Sequence, residues 1–248
     1  MPASALAAAL SVASLNLCTD ELLLALAEPQ QIVSVTHLSQ QPLEFASWRQ
    51  ARRYPKNDGS LLSVVGQRPD LVLTMGGGVR DQAHIARRLG IRVVDLPYPA
   101  SIGDIEAAIT TVARAVGQPA NGQRLNARIE MLKRTRPASA PDTIWLGGGG
   151  RSVAATGLSS EWMALAGFRQ RTLVGDRVTL EQLLVKPPAI LLRSDYRAGQ
   201  YSGEQRWMTH PLAKGTNKSR TIPTDGRAWT CMGPSMIDEV LRLRKAAR

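Results

Sequence analysis

"SLLSVVGQRPDLVLTMGGG" spans Ser60 to Gly78, and "TLEQLLVKPPAILLRSDY" spans Thr179 to Tyr196. Each reads as a short apolar helix, a basic residue and a proline, then an aliphatic strand that runs into a loop. One element used twice, more than a hundred residues apart, points to two halves built on a common plan. Among their differences, the second copy holds Glu181 where the first holds Leu62.

Outward from the first copy, the chain alternates strand and helix. "SVASLNL" (11–17) reads as a buried strand, and "CTDELLLALAE" as a helix capped by Thr19 or Asp20. "QIVSV" (31–35) is a second strand, followed by a loop region that contains Pro, Trp and Arg. The first copy's own strand is "DLVLT" (70–74), and Arg80 to Leu89 is a helix that Gly90 ends. "IRVVDLP" (91–97) is a strand, and Ser101 to Gly117 frame a helix. Asn121 to Arg136 carries Leu125, Ile129 and Leu132 at helical spacing. After "PASAP" the alternation restarts with "DTIWLGGGG", a helix capped by Ser159 or Ser160, the second copy, "RTIPTDG", and a closing helix after Pro234. The expected class is therefore α/β, with two Rossmann-like lobes built on parallel sheets. The lobes cover 11–118 and 138–248, and one long helix over 119–137 joins them. Ligands of open α/β sheets sit beyond the carboxyl ends of the strands, so the expected site is a cleft between the lobes.

Composition narrows the function. The chain has 248 residues and a net charge of +11, with 25 Arg and six Lys. The arginines are scattered, and aromatics make up only 4%. That pattern supplies no stacking platform or basic stripe for nucleic acid. It suits a solvated basic surface or a basic entrance for an acidic ligand. No run of about 18 apolar residues is present to span a membrane as a helix. The opening "MPASALAAAL" (1–10) reads as the remnant of a signal peptide, with Ala5-Leu6-Ala7 as a cleavage site and the charged start missing. Cys18 and Cys231 lie far apart, and His37, His84 and His210 are isolated, so no zinc-ligand spacing appears. A single disulfide, a ligand contact and ordinary packing all stay open for the two cysteines.

The loops carry no recognisable catalytic signature. "GGGGRS" (147–152) and "MGGGVR" (75–80) follow strands but lack a dinucleotide fingerprint and GK[ST]. Their glycines suit positive φ or close approach of backbone to a bulky ligand. No G-x-S-x-G is present, and Asp20, Glu21, Asp81 and Asp225 form no evident acid/base pair. His37, Tyr98, Tyr196 and Trp229 fall just after strands, where aromatic faces can grip a large, partly apolar ligand. Trp145 and Trp162 lie within elements and read as core.

In order and spacing these segments resemble the ABC-importer substrate-binding proteins for cobalamin, haem and ferric siderophores. "SVASLNLCTDELLLALA" is similar to that family's opening strand and helix, and "SVVGQRPDLVLT" to its helix followed by [KR]PDLV. "RRLGIRVVDLP", "VTLEQLLVKPPAILL" and "TDGRAWTCMGPSMIDEVL" resemble later segments, and Asn121–Arg136 the linking helix. The resemblance implies a monomeric periplasmic protein that captures a metal chelate and delivers it to a membrane permease. It implies no catalysis, no cofactor, no resident metal and no nucleic acid. The matching ligand-facing residues are Asn16, Leu17, Cys18, His37, Gly76 and Gly77, then Tyr98, Gly149, Arg151, Tyr196, Arg227 and Trp229. The family's permease-docking acids match Glu181 in the second lobe and Leu62 in the first, so one acid is replaced; Asp58 is a candidate substitute. The competing class is a nucleotide-dependent two-domain α/β enzyme.

Overall fold

The computed structural model describes residues 10–215 and 218–248. Residues 1–9, most of the stretch read above as a signal remnant, lie outside the described residues. The chain divides into two compact units. The first comprises residues up to Pro42, Ser47–Tyr98 and Ala107–Arg124; the second comprises Leu43–Ala46, Pro99–Glu106 and Leu125–Arg248.

In the first unit, β1 (Val12–Ser14), α1 (Leu17–Leu26), β2 (Ile32–Thr36), α2 (Trp48–Ala51) and β3 (Lys56–Asn57) come first. Then follow β4 (Leu71–Met75), α3 (Ala83–Arg88), β5 (Arg92–Leu96) and α4 (Ile102–Ala115), whose first turn groups with the second unit. The strands form one parallel sheet in the order β3-β2-β1-β4-β5. Val12, Ala13 and Ser14 pair in register with Leu71, Val72 and Leu73. Every residue of β4 is buried, as expected of a strand covered by helices on both faces. Ala13, Leu61, Val64 and Val72 share one core cluster.

The two copies of the repeated unit fold differently ahead of their strands. Ser60 to Val64 was expected to be helical, but the chain forms turns there and a single 3₁₀ turn at Val65–Gln67. Local side-chain bonds compete with the helix. Asp58 Oδ1 accepts from Ser60 N at 2.8 Å, and the Ser63 hydroxyl donates to Ser60 O at 2.8 Å. Arg68 then ends the stretch at φ 48.

α5 (Pro119–Arg134) lies within the 119–137 read as the linking helix, and the boundary between units falls within it, after Arg124. The second unit continues with β6 (Asp142–Leu146), α6 (Gly157–Ala166), β7 (Arg169–Gln170), α7 (Leu180–Val185) and β8 (Ile190–Ser194). It ends with α8 (Gly203–Met208), α9 (Pro211–Lys214), β9 (Arg220–Thr224), α10 (Ala228–Cys231) and α11 (Ser235–Ala247). Its four strands are parallel in the order β7-β6-β8-β9. α6 starts before the expected serine caps, and Ser159 is buried with its hydroxyl on Ala154 O at 3.1 Å. Met236, Val240 and Leu243 of α11 are fully buried, in line with their spacing. β3 and β7 have only two residues each, too short to leave a periodic signal.

Candidate functional site

In each unit the first strand lies inside its sheet, and the two later strands that pair with it lie on its opposite sides. β1 sits between β2 and β4, and β6 sits between β7 and β8. The loops at the carboxyl ends of these strands border a topological switch point, where open α/β sheets hold their ligands. All twelve sequence-selected ligand residues follow the carboxyl end of a strand: β1, β2, β4 and β5 in the first unit, and β6, β8 and β9 in the second.

In the first unit, Asn16 caps α1, its Oδ1 accepting from Cys18 N at 2.8 Å. Thr19 and Asp20, expected as caps, lie inside the helix and are fully buried. The cap sits a turn earlier and directs them toward the sheet. The Thr19 and Ser14 hydroxyls bond at 2.8 Å, and Asn57 Nδ2 donates to Ser14 O at 2.9 Å and to Ser34 Oγ at 2.8 Å. The Asp20 carboxylate accepts the Thr36 backbone N–H at 3.1 Å and also the Thr36 hydroxyl. Burial pushes its pKa up to about 7, against these hydrogen bonds, which act to lower it. A satisfied polar layer therefore fixes the ends of β1, β2 and β3 directly beneath the candidate loops.

Above that layer, Leu17 and Cys18 are half-buried and His37 is exposed, its backbone N–H donating to Asn57 O at 2.8 Å. Gly76 and Gly77 adopt φ of +70 and +86. A Cβ on Gly76 would stand 2.2 Å from Tyr98 Cε2, so only glycine lets the Tyr98 ring lie against this turn. Tyr98 itself is 69% exposed.

In the second unit, the chain leaves β6 through Gly147–Gly150. Gly149 has φ of +65, and a Cβ on Gly150 would meet Val178 O at 2.5 Å. Arg151 is exposed and pairs with Glu204 at 2.8 Å. After β8, the Tyr196 hydroxyl donates to Glu44 Oε2 at 2.6 Å, and Glu44 also pairs with Arg197. Burial, and then Glu44, push the Tyr196 phenol above its usual pKa. After β9, Arg227 makes a two-pronged bond to Asp225 at 2.8 and 2.7 Å.

Trp229 departs from the exposed aromatic expected. It is 5% exposed and donates its Nε1–H to Thr224 Oγ1 at 2.7 Å. Its ring lies 5.9 Å from that of Trp145. Trp145, expected in the core, is only half-buried, while Trp162 is fully buried. Neither Cys18 nor Cys231 is a free thiol.

Sequence reasoning missed two participants. Asp20 reads from sequence as a helix cap. Glu44 drew no attention, because it lies in a short stretch between elements and meets Tyr196 across 152 residues of sequence. The proposed docking residues are both exposed. Glu181 lies in the first turn of α7, where its own backbone N–H and the Thr179 hydroxyl hold its pKa below the usual range. Leu62 is 65% exposed in the turn that replaces the expected helix.

The strand-end loops of each unit therefore offer glycine turns and a tyrosine face, with the second unit's guanidiniums held by Glu204 and Asp225, an arrangement that suits binding. Among the described residues, no group of three or more His, Cys, Asp and Glu is placed to hold a metal ion. Among them also, no helix is long and apolar enough to cross a membrane.

The fold recurs in solved proteins. The periplasmic heme-binding protein HutB of Vibrio cholerae matches with a TM-score of 0.70 at 18% identity, over 96% of this chain and 98% of that one. The periplasmic heme-binding protein RhuT from Roseiflexus sp. RS-1 matches at 0.67 and 20%, over 97% and 100%. The periplasmic vitamin B12 binding protein BtuF of Vibrio cholerae matches at 0.65 and 18%, over 95% of each chain. Among curated proteins, none matches the chain. The family model described as periplasmic binding protein matches residues 12–217. The chain thus belongs to the periplasmic binding protein family, whose members bind solutes and are not enzymes.

Proposed function

We propose that this protein is the periplasmic substrate-binding component of an ABC importer, which captures a metal chelate of the haem, cobalamin or ferric-siderophore kind and delivers it to a membrane permease. One observation carries the reading. Beyond the strand ends, the first unit presents an exposed Tyr98 against the glycine turn at Gly76 and Gly77, and the second presents a half-buried Tyr196 and the glycine turn Gly147–Gly150. Aromatic faces beside close backbone suit a wide, flat ligand. The net charge of +11 favours an anionic one, such as haem with its propionates or a carboxylate siderophore. The oxidised state of both cysteines accords with an oxidising compartment.

A fluorescence-quenching titration against haemin, cobalamin and several ferric siderophores tests the ligand. Saturable quenching by at least one anionic chelate is expected. Failure of all of them to bind would sink the reading. For delivery, Glu181→Ala is expected to leave ligand affinity unchanged while abolishing stimulation of the permease ATPase. Lost ligand affinity would instead place Glu181 in the binding site.

A further inference from the structure

A cavity of about 510 Å³ lies in the second unit at the amino ends of β6, β7 and β8, the opposite ends from the candidate site. Its volume falls within the range of small-molecule pockets. Pro137, Pro141, Ala166, Phe168 and Ile190 give it apolar walls, and Arg244 and Arg248 are its charged members.

Arg244 is half-buried and has three neutral acceptors, each at 2.8 Å: Leu165 O from Nε, Thr135 Oγ1 from Nη1 and Leu132 O from Nη2. A guanidinium has five N–H groups, so one remains on each Nη. Among the described residues, no carboxylate forms an ion pair with it. Burial alone lowers its pKa, and no neighbouring acid acts in the other direction. The two carbonyls belong to the last turns of α5 and α6, which supply partial charges only. A whole positive charge thus borders an apolar chamber with no carboxylate paired to it among the described residues.

The first unit has a smaller cavity, of about 360 Å³, at the amino ends of β4 and β5. There Asp70 stands beside Arg68 in the lining. That carboxylate would oppose an anion, so the unanswered cation is a property of the second unit's cavity.

We infer that the second unit holds an auxiliary site for a small amphipathic carboxylate, whose headgroup takes the two remaining Nη–H groups of Arg244 and whose aliphatic body fills the chamber between Pro137, Phe168 and Ile190. A planar guanidinium fork matches a carboxylate in two-pronged fashion, and the apolar walls match an alkyl chain.

Isothermal titration calorimetry with decanoate, decylamine and acetate on the full chain tests this. Decanoate is expected to bind saturably at one site, while decylamine, with the wrong charge, and acetate, without the tail, bind at least about ten-fold more weakly. Arg244→Gln is expected to weaken decanoate by about ten-fold or more. Because Arg244 also ties two helix ends, a second variant separates binding from folding. Ala247→Trp fills the chamber from the last turn of α11, and it should abolish decanoate binding with Tm and chelate affinity unchanged. Equal affinity for decanoate and decylamine, or decanoate binding that survives Ala247→Trp, would overturn the assignment. So would the absence of saturable binding to the wild-type chain.

Discussion

Asp20 shows how a single buried carboxyl can set the conditions under which the candidate loops are stable. It is fully buried, and its pKa is raised from the ordinary carboxylate value to about 7. A group protonated in the folded chain and ionised in the unfolded one stabilises the fold at low pH. That contribution is fully present below about pH 4 and is lost progressively as pH rises to about 7. Urea unfolding at a series of pH values should therefore show stability falling across this window, by an amount on the order of a few kcal/mol. Asp20→Asn keeps an acceptor for the Thr36 N–H and removes the titration, so its stability profile should be flatter there. An unchanged slope would show that another group titrates. None of this was legible in the sequence, where an Asp at the start of a helix reads as a cap. The decision lay with Asn16, which took the cap and turned Asp20 inward. Trp229 illustrates the reverse case: its place after a strand was legible, but its burial against Trp145 depends on partners distant in sequence.

The repeated segments teach a lesson about elements. Their strands are readable, because a run of consecutive buried aliphatic residues opens both β4 (Leu71–Leu73) and β8 (Ile190–Leu192) and leaves a strong local signal. Their helices were not equally readable. The second begins with a capping box, in which Thr179 accepts from Gln182 N and the Gln182 side chain accepts from Thr179 N. The first begins with Asp58, Ser60 and Ser63, which bond to backbone locally and hold turns instead. Thr179→Ala should therefore destabilise α7 by about 1 kcal/mol, seen as faster amide exchange in Leu183 to Val185 with the second unit's strands still protected. Uniform loss of protection would mean that the cap supports the whole unit. Since Glu181 sits on this helix, the same variant offers a way to loosen its presentation without removing its charge.

For the molecule as a whole, strand-helix alternation was sufficient to read two parallel α/β sheets, because each element's signal is local. The membership of the units was harder, because it depends on contacts between distant segments. Leu43–Ala46 and Pro99–Glu106 group with the second unit although the chain on both sides of Leu43–Ala46 belongs to the first. Glu44 supplies the acid for Tyr196 and Arg197, and Glu106 receives Lys133 Nζ at 2.8 Å. No single scission can therefore free the second unit intact. A fragment of Leu125–Arg248 would carry Tyr196, Arg197 and Lys133 without those acids, and it should melt at a lower temperature than the same unit in the full chain. Supplying the missing acids on grafted segments should recover part of that loss. For anyone who wishes to recombine halves of such proteins, the inheritable module here is an interleaved set of segments, and a crossover at the linking helix would separate ion-pair partners.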